Sequence, residues 1–234
     1  MVVSPDVFES HIYALSSAGF EGVSSFQVLD FVLFGTPLPD NPVWITFDDG
    51  YLSNFTYAYP VLKRHNMRAT VFVIGRSRGW ETFNNDGRPI FSPHFSWEQA
   101  AEMSWLVDIQ SHSHDMHQVV HFDGENARQT AQRKEGEAES DFIYAFRADI
   151  TRARDDILTY VGSPLVAYSY PHGDASLLTD VLLREMGVYV TLSIVQGGNT
   201  IVAGLPQSLL QLNRLTVYGT MSGQDVLDLL EGGR

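Results

Sequence analysis

The sequence predicts an α/β fold built on a parallel sheet, and three observations carry that prediction. Apolar runs of strand length alternate with amphipathic helical stretches almost from end to end. One run, Arg68 to Ile74, is nearly continuous in apolar residues, the pattern of a strand buried on both faces. Polar residues recur just after several strands: Asp48 and Asp49, His112 to His117, His172, and Asn199. In a β/α barrel those positions converge on one rim. The pattern shows no internal repeat, low-complexity segment or second domain, and it leaves open whether the sheet is open or closed.

The elements follow in order. Ser4-Pro5-Asp6 opens a first helix, with Ser4 as N-cap and Pro5 in the first turn. Phe8, Ile12, Leu15 and Phe20 give its apolar stripe, and Gly19 ends it. Val23 to Ser25 reads as a weak strand or turn, and Phe26 to Phe34 as a second helix closed by Gly35. Pro42 to Ile45 is a short strand, and Asn54 to His65 a helix with Tyr57, Val61 and Leu62 facing inward. After the strand at Arg68–Ile74, Gly75 to Pro93 is a loop-rich excursion containing Trp80, Phe83 and an Asn-Asp-Gly turn. Ser96 and Gln99 form a capping box for a helix ending near Met103.

Trp105 to Gln110 is the next strand and runs straight into Ser111-His112-Ser113-His114-Asp115-Met116-His117. Val119 to Ser140 is polar and reads as a mobile loop or frayed helix. Asp141 to Tyr160 is a long amphipathic helix, with Phe142, Phe146, Ile150 and Ile157 on one face. Leu165–Tyr170, Val188–Ile194 and Leu209–Val217 read as strands, and Ala175–Met186 and Ser222–Leu230 as helices.

Composition bounds the partners. The chain has 234 residues, 44% hydrophobic and 18% charged, which suffices for one large domain with a proper core. Its 28 acidic and 15 basic residues give a net charge of −13, which argues against nucleic acid or an anionic membrane as the main partner. Cysteine is absent, so disulfides, thiolate metal sites and a cysteine nucleophile are excluded. No apolar run approaches the ~20 residues of a membrane span, and the first residues lack the pattern of a signal peptide.

The chemistry concentrates in Thr46-Phe47-Asp48-Asp49-Gly50. Adjacent carboxylates at a strand end repel one another, and burial raises their pKa values. A metal ion or second cation would relieve that cost; the plainer reading is an Asp N-cap with a solvated neighbour. Three of the eight histidines fall within six residues, and two imidazoles with one carboxylate form a common ligand set for a catalytic divalent ion. On a regular helix His112 and His117 would lie about 140° apart, so only a loop or bulged turn could bring them together. His114 shares a strand face with His112 and competes as ligand, and a metal-free polar loop is the alternative to both.

In these residues the chain resembles the polysaccharide deacetylase family, the NodB-homology domains of carbohydrate esterase family four. TFDDG matches the family's first motif, which implies Asp48 as catalytic base and Asp49 as metal ligand. The histidine motif HSHDMH has the longer spacing of the poly-N-acetylglucosamine deacetylase branch, implying His112 and His117 as ligands. Ser169-Tyr170-Pro171-His172-Gly173 is similar to the third motif, with Ser169 where the family has the arginine that orients the catalytic Asp. The resemblance implies the backbone N–H of His172 as oxyanion donor. The fifth motif normally supplies an acid histidine, but here Leu212-Asn213-Arg214 has none. His172 and Asp48 are then the two candidates for general acid, and Arg214 is a candidate for charge stabilisation or for a structural ion pair.

The resemblance covers about Ser4 to Val217. It implies a distorted (β/α) barrel of NodB-homology type, incomplete at its N-terminal strand because the chain starts at the first helix, with 1–234 as a single catalytic domain. It further implies a metal-dependent hydrolase that removes N-acetyl groups from an N-acetylglucosamine polysaccharide such as peptidoglycan, poly-N-acetylglucosamine or a chitin-like chain. The expected cofactor is Zn2+, with Co2+, Ni2+ or Mn2+ as alternatives, and the expected partner is the acetylated polysaccharide, bound near Tyr170, Pro171 and Arg214. Trp80, Tyr51 and Tyr170 are candidates for stacking on sugar rings, with core or rim packing as the plainer reading. The family setting is extracellular or cell-envelope. The rival readings are an O-acetyl esterase on xylan, a catalytically impaired carbohydrate-binding domain and a metal-free structural barrel.

Overall fold

The Ser4 hydroxyl accepts from the amide of Val7 and Pro5 enters the first turn, so α1 (Pro5–Ser17) starts where capping chemistry sets it. The computed structural model describes residues 3–232. After α1 comes a two-residue strand, β1 (Glu21–Gly22). Residues 23–25, expected as a weak strand or turn, lead into α2 (Ser25–Phe34), where Ser24 and Gln27 form a reciprocal capping box. Gly35 closes α2 at φ 71°, a left-handed position that glycine adopts without steric cost.

Next come β2 (Pro42–Val43), β3 (Ile45–Phe47), α3 (Tyr59–Arg64), β4 (Ala69–Val73), α4 (Trp97–Met103) and β5 (Val107–Ser111). The chain then forms α5 (Val120–Asp123), α6 (Glu139–Val161), β6 (Ala167–Ser169), α7 (Leu177–Glu185), β7 (Val190–Gln196), β8 (Leu212–Arg214) and α8 (Gly223–Gly232). Strands β3 to β8 pair in sequence order, every pair parallel, in one six-stranded sheet, and β1 pairs parallel with β2. The sheet curls into a half-barrel. It is open, with β3 and β8 as its two edges.

Strand alternation divides the core. Ala69, Val71 and Val73 of β4 pack with Leu62 and with Phe142, Phe146 and Ile150 of α6. Phe72 points the other way, to Ala167, Val190 and Leu192 and to Val28, Leu29 and Val32 of α2. Helix α2 therefore packs on the face of the sheet opposite α6. Each fully buried aliphatic of this kind contributes about 1.5–3 kcal/mol. Asp108 anchors the start of α2 by accepting from the amide and hydroxyl of Ser25, from Thr70 and from Gln110, which satisfies a buried carboxylate.

Several sequence expectations shift. Residues 54–58 wind as a π-turn ahead of α3, which changes the helical phase. Tyr57 is therefore exposed rather than inward, and Phe55 stacks on Tyr59 in its place. Trp105 lies outside β5, exposed, with its indole N–H donating to the Tyr59 hydroxyl at 2.8 Å. The strand expected over Leu209–Val217 contracts to β8, because Pro206–Leu209 forms a 3-10 turn and Gln211 takes φ 52°. The polar stretch after Val119 carries α5 and is tied down by Arg76–Asp123 and Arg128–Glu137 ion pairs. Among the described residues no helix is long and apolar enough to cross a membrane.

Candidate metal centre

At the end of β3 the backbone turns sharply. Asp49 takes φ 67° and Gly50 φ 75°, and the Gly50 amide donates to Asp48 O at 2.8 Å. This left-handed turn sends the two neighbouring carboxylates in different directions and relieves the repulsion their adjacency implies. Beneath it Arg78 donates to the carbonyls of Gly50 (2.7 Å), Asp49 (2.6 Å) and Ile74 (3.0 Å) and lies over the Phe95 ring. Burial pulls the Arg78 guanidinium down to about 9, with the charge of Asp49 opposing the shift. At neutral pH the guanidinium remains charged and braces the turn.

The second strand end delivers the imidazoles. His112 is buried just beyond β5, and its Nδ1 donates to Ser169 O at 2.7 Å, which leaves Nε2 free. Ser113 takes φ 77° and its hydroxyl accepts from the Met116 amide, producing the bulged turn that the spacing requires. His117 thereby swings back, so that Asp49 Oδ1 lies 3.6 Å from His112 Nε2 and 3.7 Å from His117 Nε2. One donor atom from each of the three lies within 4.8 Å of the others. Asp49 Oδ1 is buried and accepts no hydrogen bond. His114 leaves the competition, because its Nδ1 sits 3.2 Å from Asp156 Oδ2 on α6.

Electrostatics favour ligation. Burial, helped by the nearby His112, pushes His117 down to about 4, so its ring is neutral at pH 7 and keeps a lone pair. Burial pushes Asp48 up, but the charges of His112 and Arg214 more than offset it, and the carboxyl ends below its ordinary range. Arg214 reaches Asp48 from β8 with two prongs, Nη1 to Oδ1 at 2.9 Å and Nη2 to Oδ2 at 2.8 Å, while its Nε donates to Ser193 O at 2.8 Å.

Of the two roles open to Arg214, the structure shows the ion pair, with Asp48 as its partner. Two expected substrate contacts need correction. Tyr170 is fully buried with its hydroxyl donating to Asp180 at 2.7 Å, and its ring offers a ligand no surface. Pro171 is buried as well, and starts the 3-10 turn Pro171–Gly173. His172 is exposed on that turn at φ 57°, its ring centroid 4.6 Å from that of His117. Trp80 packs edge-on against Phe83 beneath Arg76, which is the packing reading.

Sequence reasoning missed Arg78 and Asp149. Asp149 is buried on α6 and accepts from the amides of His114 (2.8 Å) and Asp115 (2.6 Å), holding the ligand turn from behind. A signal for it existed: an acid inside the apolar stripe between Phe146 and Ile150 has to answer to a partner.

Fold and site together define an α/β half-barrel with one carboxylate and two imidazoles gathered at its strand-end rim. The profile of the polysaccharide deacetylase family matches residues 35–191, well over half of the chain, and the chain belongs to that family. A poly-beta-1,6-N-acetyl-D-glucosamine N-deacetylase of Staphylococcus aureus (strain MRSA252) is 33% identical over 119 residues, covering 50% of this chain and 39% of that protein. The protein of the same description from Escherichia coli (strain K12) is 23% identical over 200 residues, covering 78% of this chain and 29% of that protein. The chain thus spans about a third of the length of the curated relatives it matches. The solved structure of IcaB from Ammonifex degensii superposes with a TM-score of 0.75 at 23% identity, covering 97% of this chain and 89% of that one.

Proposed function

We propose that residues 1–234 act as a metal-dependent deacetylase domain that removes N-acetyl groups from an N-acetylglucosamine-containing polysaccharide. One observation carries the metal: a buried carboxylate oxygen, Asp49 Oδ1, has no hydrogen-bond donor and faces two imidazole Nε2 atoms. An anionic oxygen buried without a donor is costly, and a cation shared with the two imidazoles removes that cost. The donor set of one oxygen and two nitrogens fits Zn2+ first, with Co2+, Ni2+ or Mn2+ as alternatives.

Asp49, His112 and His117 would hold the ion, which when bound supplies Lewis-acid polarisation of the acetyl carbonyl and a water of lowered pKa. The remaining roles belong to the chain. Asp48, ionised and aimed by Arg214, takes the proton from the attacking water. The backbone N–H of His172 donates to the developing oxyanion. Proton return to the leaving amine falls to the exposed imidazole of His172 or to Asp48 itself. The N-deacetylase descriptions of the two curated relatives support an amide substrate. The Arg214 ion pair with Asp48 supports an active domain over an impaired one, since it can orient the base without an arginine at position 169.

The test combines metal analysis with acetate release. Asp48→Asn is expected to abolish acetate release from N-acetylglucosamine oligomers while metal content stays near normal. Asp49→Ala or His112→Ala is expected to lose the metal. Near-normal turnover by Asp48→Asn defeats the base assignment. Acetate released from acetylated xylan, with none from the oligomers, replaces the amidase by an esterase.

A further inference from the structure

The metal centre is flanked by an aromatic surface that none of the roles above uses. Tyr51 follows Asp49 by two residues, and its hydroxyl lies against the Asp49 carboxylate. The excursion of residues 79–95 folds back onto this point. Tyr51 and His94 form an antiparallel bridge, the Leu52 amide donates to Pro93 O at 2.7 Å, and the Phe95 amide donates to Gly50 O at 3.3 Å. The His94 ring lies 5.0 Å from that of Tyr51, and the Phe91 ring 6.3 Å from it. Phe91 is 82% exposed, whereas Phe83 and Phe95 of the same excursion are buried. Burial and the charge of Arg78 push His94 down to about 3, so the imidazole is neutral and adds no cation to the surface.

We propose that Tyr51 and Phe91 form a stacking subsite for the pyranose ring next to the one being deacetylated. This rests on the reading above that the substrate is an acetylated glucosamine chain. A sugar ring carries an apolar C–H face and a hydroxyl rim, which suits a shelf that begins with a phenol at the metal ligand and ends in an uncovered benzyl ring. The shelf is continuous with the centre through Tyr51, so a chain whose acetyl group reaches Asp49 passes over it. Within the Tyr51–Phe91–His94 cluster, Phe91 is the exposed ring and therefore the residue that governs the subsite.

The experiment uses the metal-loaded protein and β-1,6-linked N-acetylglucosamine oligomers from dimer to hexamer. In the wild type, kcat/KM for acetate release is expected to rise with chain length. Phe91→Ala is expected to lose that rise, with KM for the hexamer roughly three- to tenfold higher, and Phe91→Trp to restore it. Phe34→Ala, an equally exposed ring at the end of α2, serves as control and is expected to keep the wild-type length dependence. A Phe91→Ala protein with the wild-type length dependence overturns the subsite. If the wild type releases no acetate at all, the functional reading has failed, and calorimetric hexamer binding then decides the subsite separately. Weaker binding by Phe91→Ala supports it; equal binding, or none by the wild type, overturns it.

Discussion

Arg214 and Asp48, 166 positions apart in the chain, meet in a two-pronged ion pair of 2.9 and 2.8 Å that joins the two edge strands of the half-barrel at its rim. The arginine that pairs with Asp48 thus comes from the last strand of the sheet rather than from the strand carrying Ser169. Because both prongs and the Nε bond to Ser193 O are satisfied, the guanidinium has one orientation and so has the carboxylate. Arg214→Ala is expected to lower kcat by roughly 100-fold through loss of that aim, with metal content unchanged. Removing the positive charge also raises Asp48 towards its ordinary pKa, so the acidic limb of the activity profile moves to higher pH. Arg214→Lys keeps the charge but not the fork and is expected to fall between. If instead KM rises with kcat intact, Arg214 is a substrate contact and not a positioning residue.

Asp149 supports the ligand turn from the opposite side. Its two oxygens accept from consecutive amides, those of His114 and Asp115, so a single carboxylate fixes the segment between the two candidate imidazole ligands. Asparagine can accept only one of those bonds. Asp149→Asn is expected to weaken metal affinity about 10- to 100-fold, the range typical of groups that orient ligands. A chelator-competition titration measures this directly and does not depend on turnover.

Much of this was legible in the sequence, for local reasons. Ser4, Ser24 and Ser96 cap the helices that they announce, and the continuous apolar run of β4 is buried on both faces. The polar clusters after β3 and β5 do meet, because parallel strands in register bring their C-terminal ends together. Other features depend on distant contacts that no local pattern encodes. Tyr57 and Phe55 exchange faces through a π-turn, and Tyr170 turns into the core because Asp180 waits there for its hydroxyl. Arg214 meets Asp48 only because the curl of the sheet brings β8 back towards β3.

Gly75 tests how tightly the ligand turn is backed. A Cβ at this position would stand 2.6 Å from His114 Nδ1 and 3.2 Å from His114 Cα, while the Gly75 amide donates to Ser113 O. The turn cannot yield without moving Ser113, whose left-handed backbone sets the return of His117. Gly75→Ala is expected to cost about 1–3 kcal/mol of stability by overpacking. It is also expected to reduce metal affinity in the same chelator titration. Full stability with reduced affinity would place the effect in the turn alone; no change in either would show that the turn yields freely.

Three of the buried groups that contribute to the acid stability of the metal-free protein oppose one another. His94 at about 3 and His117 at about 4 lie below the ordinary imidazole value of 6.5, so the unfolded chain binds protons that the folded chain refuses. Their contribution is complete above about pH 6.5 and is lost as pH falls towards 4 and then 3. Asp149, raised by burial to about 6, works in the other sense: its contribution is present below the ordinary carboxyl value of 3.8 and is lost as pH rises through about 6. Two depressed imidazoles outweigh one raised carboxyl, so urea unfolding of the metal-free protein is expected to show a net loss of stability between pH 7 and 4. His94→Gln removes one of the two opposing imidazoles and is expected to flatten that slope by about half or more. Asp149→Asn removes the compensating carboxyl and is expected to steepen it, and a slope unchanged in both variants would place the pH dependence in other groups.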